Sequence, residues 1–292
     1  RTSSAASDVY KRQAYTGQMA RQLQHNSLKK IVSKGNPSDP TSNTLNKMLN
    51  YFENKDKTKS MAILDPKSSS KFPVKQKMVG EISTGSNLAG KADGRVQLSW
   101  PNNMTGADVI RFMIKKASKI SGGVDMKNGM NYPQLISKYT MGAVLYHQAC
   151  DNYLDEKMTA SNKPNDKPYK KGAYYTGKEH SWDEAFGYWG AAAHTMTLSA
   201  QQSYDVAKKK DLKAADFNKD GVVDLYKEMT YGHAYYASAF DRGGKTDYLK
   251  TVTKAFIDGR KIITNADGEK LSSSDLTKVQ DLAQVICSNW AQ

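Results

Sequence analysis

Asp216, Asn218 and Asp220 stand at alternate positions and lead into Gly221. Three side-chain oxygens therefore turn towards one point around a bend that glycine permits. This is the donor pattern of a calcium loop, in which Val222 adds a backbone carbonyl and Asp224 a carboxylate acting directly or through water. An EF-hand would place a bidentate Glu at the twelfth loop position. Here that position is Lys227, and Glu228 follows one residue later. The same residues also make a good surface turn, because Asn and Asp bond their own backbone, and Asp224 is a suitable helix cap. Three phased donors exceed what a turn requires. The expectation is one structural calcium ion at Asp216, Asn218, Asp220, Val222, Asp224 and Glu228, pinning the start of the next helix.

Other candidate chemistry is sparse. The five histidines, His25, His147, His180, His194 and His233, include no HExxH pair, and no glycine-rich phosphate loop is present. His180 and Glu184 are four apart and can face one metal from a helix start, with Asp183 and His233 as further candidates. Packing and capping account for the same residues. The aromatic run from Tyr174 through Trp182, Phe186, Tyr188, Trp189, Tyr231, Tyr235, Tyr236 and Phe240 suits a ligand cleft, and helix–helix packing explains it equally well.

The elements that would carry these residues are helical. Residues 43–54 read as a short amphipathic helix after the break at Asn36–Pro40. Residues 60–104, with Pro66, Pro73 and Pro101, read as a loop-rich excursion with room for a short hairpin. Thr105-Gly-Ala-Asp108 is a capping box that opens a helix closed near Ser121 by Gly122-Gly123. A long helix follows Pro133, and residues 157–178 form a long polar loop. Ser181-Trp-Asp-Glu184 reads as a second capping box, opening a helix that runs to about Lys210. Gly187, Gly190, Ala191, Ala192 and Ala193 would give this helix a face that a neighbour can approach closely. Helices over about 224–241, 247–264 and 273–290 complete the pattern. The fold class is all-α: a single-domain bundle of about six to eight helices, with long loops and a calcium-loop-like turn.

With 292 residues and 38% hydrophobic content, the chain can bury a sizeable core. The net charge of +14 comes from Lys far more than from Arg, of which there are seven. Specific phosphate and base readers favour the Arg fork, so the expectation is no nucleic-acid partner. Asp8-Val-Tyr-Lys-Arg-Gln13 back-translates to a transposon end used to tag sequencing libraries. Residues 1–13 therefore read as a non-native sequencing scar on a metagenomic fragment, and residues 14–292 as one helical domain. Cys150 and Cys287 sit in helical patterns among apolar neighbours, which favours two buried thiols. A disulfide would instead tie the central helix to the C-terminal one and suit an oxidising compartment.

Glu179-His180-Ser-Trp182-Asp183-Glu184-Ala-Phe186-Gly187-Tyr188-Trp-Gly190 resembles the signature of the bacterial family catalogued as domain of unknown function 4856. Tyr15-Thr-Gly17-Gln18-Met-Ala-Arg21, the stretch Tyr139–Leu154 and Ala255-Phe-Ile-Asp-Gly259-Arg260 are similar to three further family segments in the same order. The resemblance implies a helical, extracytoplasmic, usually lipid-anchored protein, a companion of imelysin-like iron-regulated lipoproteins. It implies no reaction. The imelysin Gly-x-His-x-x-Glu pattern is not matched, because Gly232 directly precedes His233 and Tyr236 stands where the acid would.

The functional expectation is a periplasmic or outer-membrane-anchored helical binding protein with calcium as a structural ion. Its partner would be a small ligand or an envelope protein, and the resemblance would link it to iron, metal or nutrient uptake. Membrane contact would come only through an N-terminal lipid anchor, its signal peptide lost to truncation. The alternative is a metal-dependent hydrolase using His180, Asp183, Glu184 and His233.

Overall fold

The computed structural model describes residues 15–39, 42–55 and 60–292. The reading of residues 1–13 as a scar lies outside them. Ten α-helices, with the π-helix Met141–Tyr153 and several single-turn helices, account for most of the described residues, and the sole sheet among them is a two-stranded hairpin, so the fold is all-α. The chain divides into two compact units, one of residues 16–148 and one of residues 149–292 together with Tyr15.

In the 16–148 unit, α1 (Thr16–Val32) packs on α2 (Asn43–Glu53) and α4 (Tyr132–Thr140), and α3 (Gly106–Ser118) packs on α2 and α4. The Thr105 hydroxyl accepts from Asp108 N–H while Asp108 accepts from Thr105 N–H, so the capping box expected here forms. Val109, Ile110, Met113, Ile114 and Ala117 of α3 are buried. Residues 60–104 make two single-turn helices and isolated bridges. The hairpin lies further on, pairing Val124–Asp125 with Met130–Asn131. From Met141 to Tyr153 the chain continues as a π-helix, within which the boundary between the units falls.

His25 is fully buried in α1, and its Nε2–H donates to the Ser137 carbonyl at 3.0 Å. Burial lowers its pKa from 6.5 to about 4, against the pull of that hydrogen bond. The unfolded chain takes up this proton near pH 6.5 and the folded chain only near pH 4. The unfolded state thus binds more protons in that window, and stability falls as the pH drops through it, by about 3 kcal/mol in all. Urea unfolding of the chain at pH 7 and pH 4.5 should show this loss, and His25→Gln should flatten the pH slope. An equal slope in the variant would assign the acid sensitivity elsewhere.

In the 149–292 unit, α9 (Tyr248–Asn265) is the central helix and packs on α5 (Gly177–Trp189), α8 (Gly232–Asp241) and α10 (Ser273–Trp290). Short helices α6 (Ala200–Ala207) and α7 (Leu212–Ala215) complete it. Three boundaries differ from the sequence reading. First, α5 opens at Thr176 with Glu179 as its box partner. Thr176-x-x-Glu179 and Ser181-x-x-Glu184 are overlapping boxes, and the chain uses the earlier one. His180 and Glu184 are therefore inside the helix, and the cap proposed at Ser181 does not exist.

Second, α5 stops at Trp189 and does not run to Lys210. Gly190 adopts φ +82°, and its N–H donates back to the Phe186 carbonyl. The small residues that follow serve a buried non-helical crossing instead of a helix face. Ala193 N–H donates to Lys227 O at 2.7 Å, and Gly190 O accepts from Tyr231 N–H at 2.8 Å. Third, the helix expected from 224 begins at Gly232, because residues 224–231 are held as a turn and an extended segment on that crossing. Cys150 and Cys287 are joined by a disulfide with Cα atoms 5.8 Å apart, so the reading of two free thiols is corrected.

Candidate functional site

The loop 216–228 is a closed cage of side-chain-to-backbone hydrogen bonds. Asp216 accepts from Asp220 N–H at 3.1 Å and from Gly221 N–H at 2.9 Å. Asn218 Oδ1 also accepts from Asp220 N–H, and Asp220 Oδ1 accepts from Val222 N–H. Asp224 accepts from Tyr226 N–H. Gly221, at φ +86°, makes the bend. Glu228 is buried and folds inward: one carboxylate oxygen accepts from Phe217 and Asn218 N–H, the other from Asp224 N–H at 2.8 Å. Val223 and Leu225 anchor the loop in the core, while residues 217–221 face solvent. His194 stacks on Phe217 at 4.9 Å, and its Nε2–H donates to Ala214 O at 2.8 Å. Burial holds the His194 pKa below its usual value.

Among the described residues, no three His, Cys, Asp or Glu side chains form a cluster placed to hold a metal ion. The donor set nevertheless has the chemistry for a hard cation. Asp216, Asn218 and Asp220 present oxygens around one exposed turn, and each keeps lone pairs beyond those given to the backbone.

The signature residues form a different assembly. Trp182 Nε1–H donates to Phe256 O at 2.7 Å, and its ring lies flush against Gly259. A β-carbon at Gly259 would fall 2.2 Å from Trp182 Cζ2, so only glycine fits there. The next residue, Arg260, is buried and reaches back to α5. Its Nε donates to Asp183 Oδ1 at 2.8 Å, and its Nη1 donates to Glu179 Oε1 at 2.6 Å and to the Thr264 hydroxyl. Burial alone would lower the Arg260 pKa, but the Asp183 and Glu179 carboxylates outweigh it and raise it. The network extends outward: Glu179 accepts from Thr176 N–H, the Thr176 hydroxyl donates to Asn165 Oδ1, and Asn165 Nδ2 donates to Ile263 O and Glu269 O. Phe186 meets Phe256 and Tyr15 edge-on, and Tyr188 is buried. Glu179, Trp182, Asp183 and Phe186 thus belong to the α5–α9 contact, whereas Gly187 is buried and Tyr188 packs on Tyr153.

The residues of the hydrolase reading are spread through the same unit. His180 Nε2 lies 3.5 Å from Glu184 Oε2, and the His180 ring sits against Tyr169 and Tyr175, with centroids at 3.7 and 5.3 Å. Burial lowers the His180 pKa, with Glu184 opposing it. Asp183 is engaged by Arg260, and His233 packs edge-on against Trp290. Of the aromatic set, Trp182, Tyr188, Trp189 and Tyr231 are buried, whereas Tyr174 and Phe240 are exposed.

Two features had no sequence signal strong enough to find them. One is an open pocket of about 330 Å³ lined by Asn162, Lys163, Pro164, Lys167, Pro168, Tyr169 and Gly177. The other is Lys178, a buried lysine whose ammonium donates to the carbonyls of Lys157, Thr159 and Asn162. Burial pulls its pKa down to about 8, so it stays charged at neutral pH, where three carbonyl oxygens receive it.

No curated protein and no solved structure matches the chain. A model of the family described as "Domain of unknown function (DUF4856)" matches residues 10–286, from within the first thirteen residues through most of α10, and the chain belongs to that family.

Proposed function

We propose that this chain is an extracytoplasmic helical binding protein whose 216–228 loop takes a structural calcium ion. The observation that carries the location is the Cys150–Cys287 disulfide, a bond at home in oxidising compartments, where calcium is also plentiful. The loop contributes Asp216, Asn218 and Asp220, with Val222 and Asp224 completing the set. Glu228 closes the loop through three backbone amides, which keeps the donors phased without a bidentate twelfth residue. The pocket beside Tyr169, with Lys163 and Lys167 at its wall, is the ligand face this reading favours. A place in iron, metal or nutrient handling rests on the family resemblance alone.

Thermal unfolding of the chain in EDTA, then with calcium, magnesium, zinc or iron added separately, tests the ion. At a hundredfold excess over the dissociation constant, calcium should stabilise by about 2.7 kcal/mol. The Tm should then rise by about 5–10 °C, and Asp216→Ala or Asp220→Ala should abolish the rise. No response to calcium would leave the loop a turn. The hydrolase reading has one observation in its favour, the His180–Glu184 contact. A rise with zinc or iron alone, lost in His180→Ala, would bring it forward.

A further inference from the structure

The excess positive charge of the chain sits on one of its two units. Residues 16–148 carry twenty Lys and Arg against eight Asp and Glu, a net of +12, whereas residues 149–292 carry twenty of each. The three arginines of the charged unit each have partners within it, although the Arg95 side chain is 68% exposed. Arg21 Nε donates to Asn87 O, Arg95 is forked onto Asp93, and Arg111 donates to Glu53 and Asp108. Seventeen of the twenty cations are lysines, so the charge this unit offers to solvent is mainly lysine ammonium, which lacks the guanidinium fork that reads bases and phosphates bidentately.

The same unit leaves an apolar tip in water. Gln97 N–H donates to Met104 O at 2.8 Å, and Val96 pairs with Thr105, closing a loop on which Leu98 is 97% exposed. Behind it, Trp100 meets Phe112 of α3 at 6.0 Å and Tyr139 of α4 at 6.1 Å, both edge-on. The Tyr139 hydroxyl ties the loop down by donating to Gln97 Oε1 at 3.1 Å. Phe112 and Leu135, one turn before Tyr139, are also exposed. On α3, Lys115, Lys116 and Lys119 are exposed, and Lys116 Nζ lies 5.5 Å over the Phe112 ring. Asp108, one turn before Phe112, is occupied by its Thr105 cap and by Arg111.

We propose that this face docks on an anionic lipid bilayer. Leu98 and Trp100 would enter the headgroup–acyl boundary while the lysines keep their ammonium groups at the lipid phosphates. A half-exposed indole flanked by apolar and charged groups suits that boundary. A bilayer also accepts a single protruding Leu without offering a matching pocket, as a protein partner would have to. This contact is separate from any N-terminal anchor and independent of the calcium reading.

Co-sedimentation with vesicles of phosphatidylcholine alone, or with a third phosphatidylglycerol, tests it. Trp182, Trp189 and Trp290 are buried, so quenching of tryptophan emission by brominated acyl chains reads Trp100. The chain should bind the anionic vesicles only, with salt weakening the binding and Trp100 quenched. Leu98→Asp, at a position that supports no fold contact, should lower partitioning about tenfold. The triple change Lys115→Glu, Lys116→Glu, Lys119→Glu should lower it about a hundredfold. Absence of binding to anionic vesicles overturns the proposal. So does binding that leaves Trp100 unquenched and is indifferent to Leu98→Asp, which would be charge adsorption by no particular face. Retention on RNA or an acidic protein without vesicle binding overturns it in favour of that partner.

Discussion

Arg260→Met should destabilise the 149–292 unit by about 3–5 kcal/mol, the range for removing one partner of a buried ion pair. Asp183 has no solvent exposure, and Arg260 supplies its charge-assisted hydrogen bond. Methionine fills much of the stem volume but leaves the carboxylate charged in an apolar setting. Glu179 would lose a donor at the same time, weakening its hold on the α5 cap. Arg260→Lys keeps a charge but not the fork, so its loss should be smaller. Arg260→Met combined with Asp183→Leu should recover much of the stability, because the cost lies in a buried charge without its cation and not in the missing attraction. Urea unfolding followed by tryptophan emission measures all three, since Trp182, Trp189 and Trp290 lie in this unit. A loss below about 1 kcal/mol in Arg260→Met would mean that water reaches Asp183 and that the network is not a closed core.

Opening the Cys150–Cys287 bond should have an effect of similar size. The cysteines are 137 residues apart, so the bond closes a loop that spans nearly the whole unit. The chain-entropy treatment gives about 5 kcal/mol for a loop of that length, a Tm loss of about 15 °C for a unit of this size. The bond ties the end of the π-helix to α10, whose Trp290 also packs edge-on against Trp189 at 5.0 Å. Those apolar contacts should keep a reduced unit folded at room temperature and lost on mild heating. Calorimetry of the chain with and without reductant, beside the Cys150→Ser/Cys287→Ser variant, checks this. Two titratable thiols in the unreduced chain would remove both the bond and the compartment argument built on it.

The helices that the sequence reveals best are those with a regular buried stripe. In α3 the Thr105 box agrees with that stripe and in α10 the Ser272 cap does, whereas α2 and α9 were legible from periodicity without a side-chain cap. The start of α5 was misread because two Ser/Thr-x-x-Glu boxes overlap, and local pattern alone does not rank them. Asn165, which receives the Thr176 hydroxyl, ranks them, and it comes from a loop. The run Gly190–Ala193 reads as a close-packing helix face because small residues signal close approach without saying what approaches. The acid one residue late in the calcium-like loop looked like a broken ligand. The offset places Glu228 where three backbone amides converge, a geometry that spacing rules for ligands do not contain. The disulfide was one of two open alternatives, since two cysteines in helical patterns 137 residues apart carry no register that decides between thiols and a bond. Arg260 was visible only through resemblance, as part of a quoted segment without a role.

Lys178 deserves the same physical reading as a bound ion. Its ammonium occupies the centre of three carbonyls from residues 157, 159 and 162, where an exchangeable monovalent cation would otherwise be suited. Because the charge is carried on a side chain of the same polypeptide, its local concentration is set by covalent geometry and not by the medium. Dialysis cannot remove it, and mineral supply cannot vary it. The turn at 157–162 therefore owns its counter-charge outright and keeps it whatever salts surround it, until a pH above about 8 or acylation of that one amine takes the charge away.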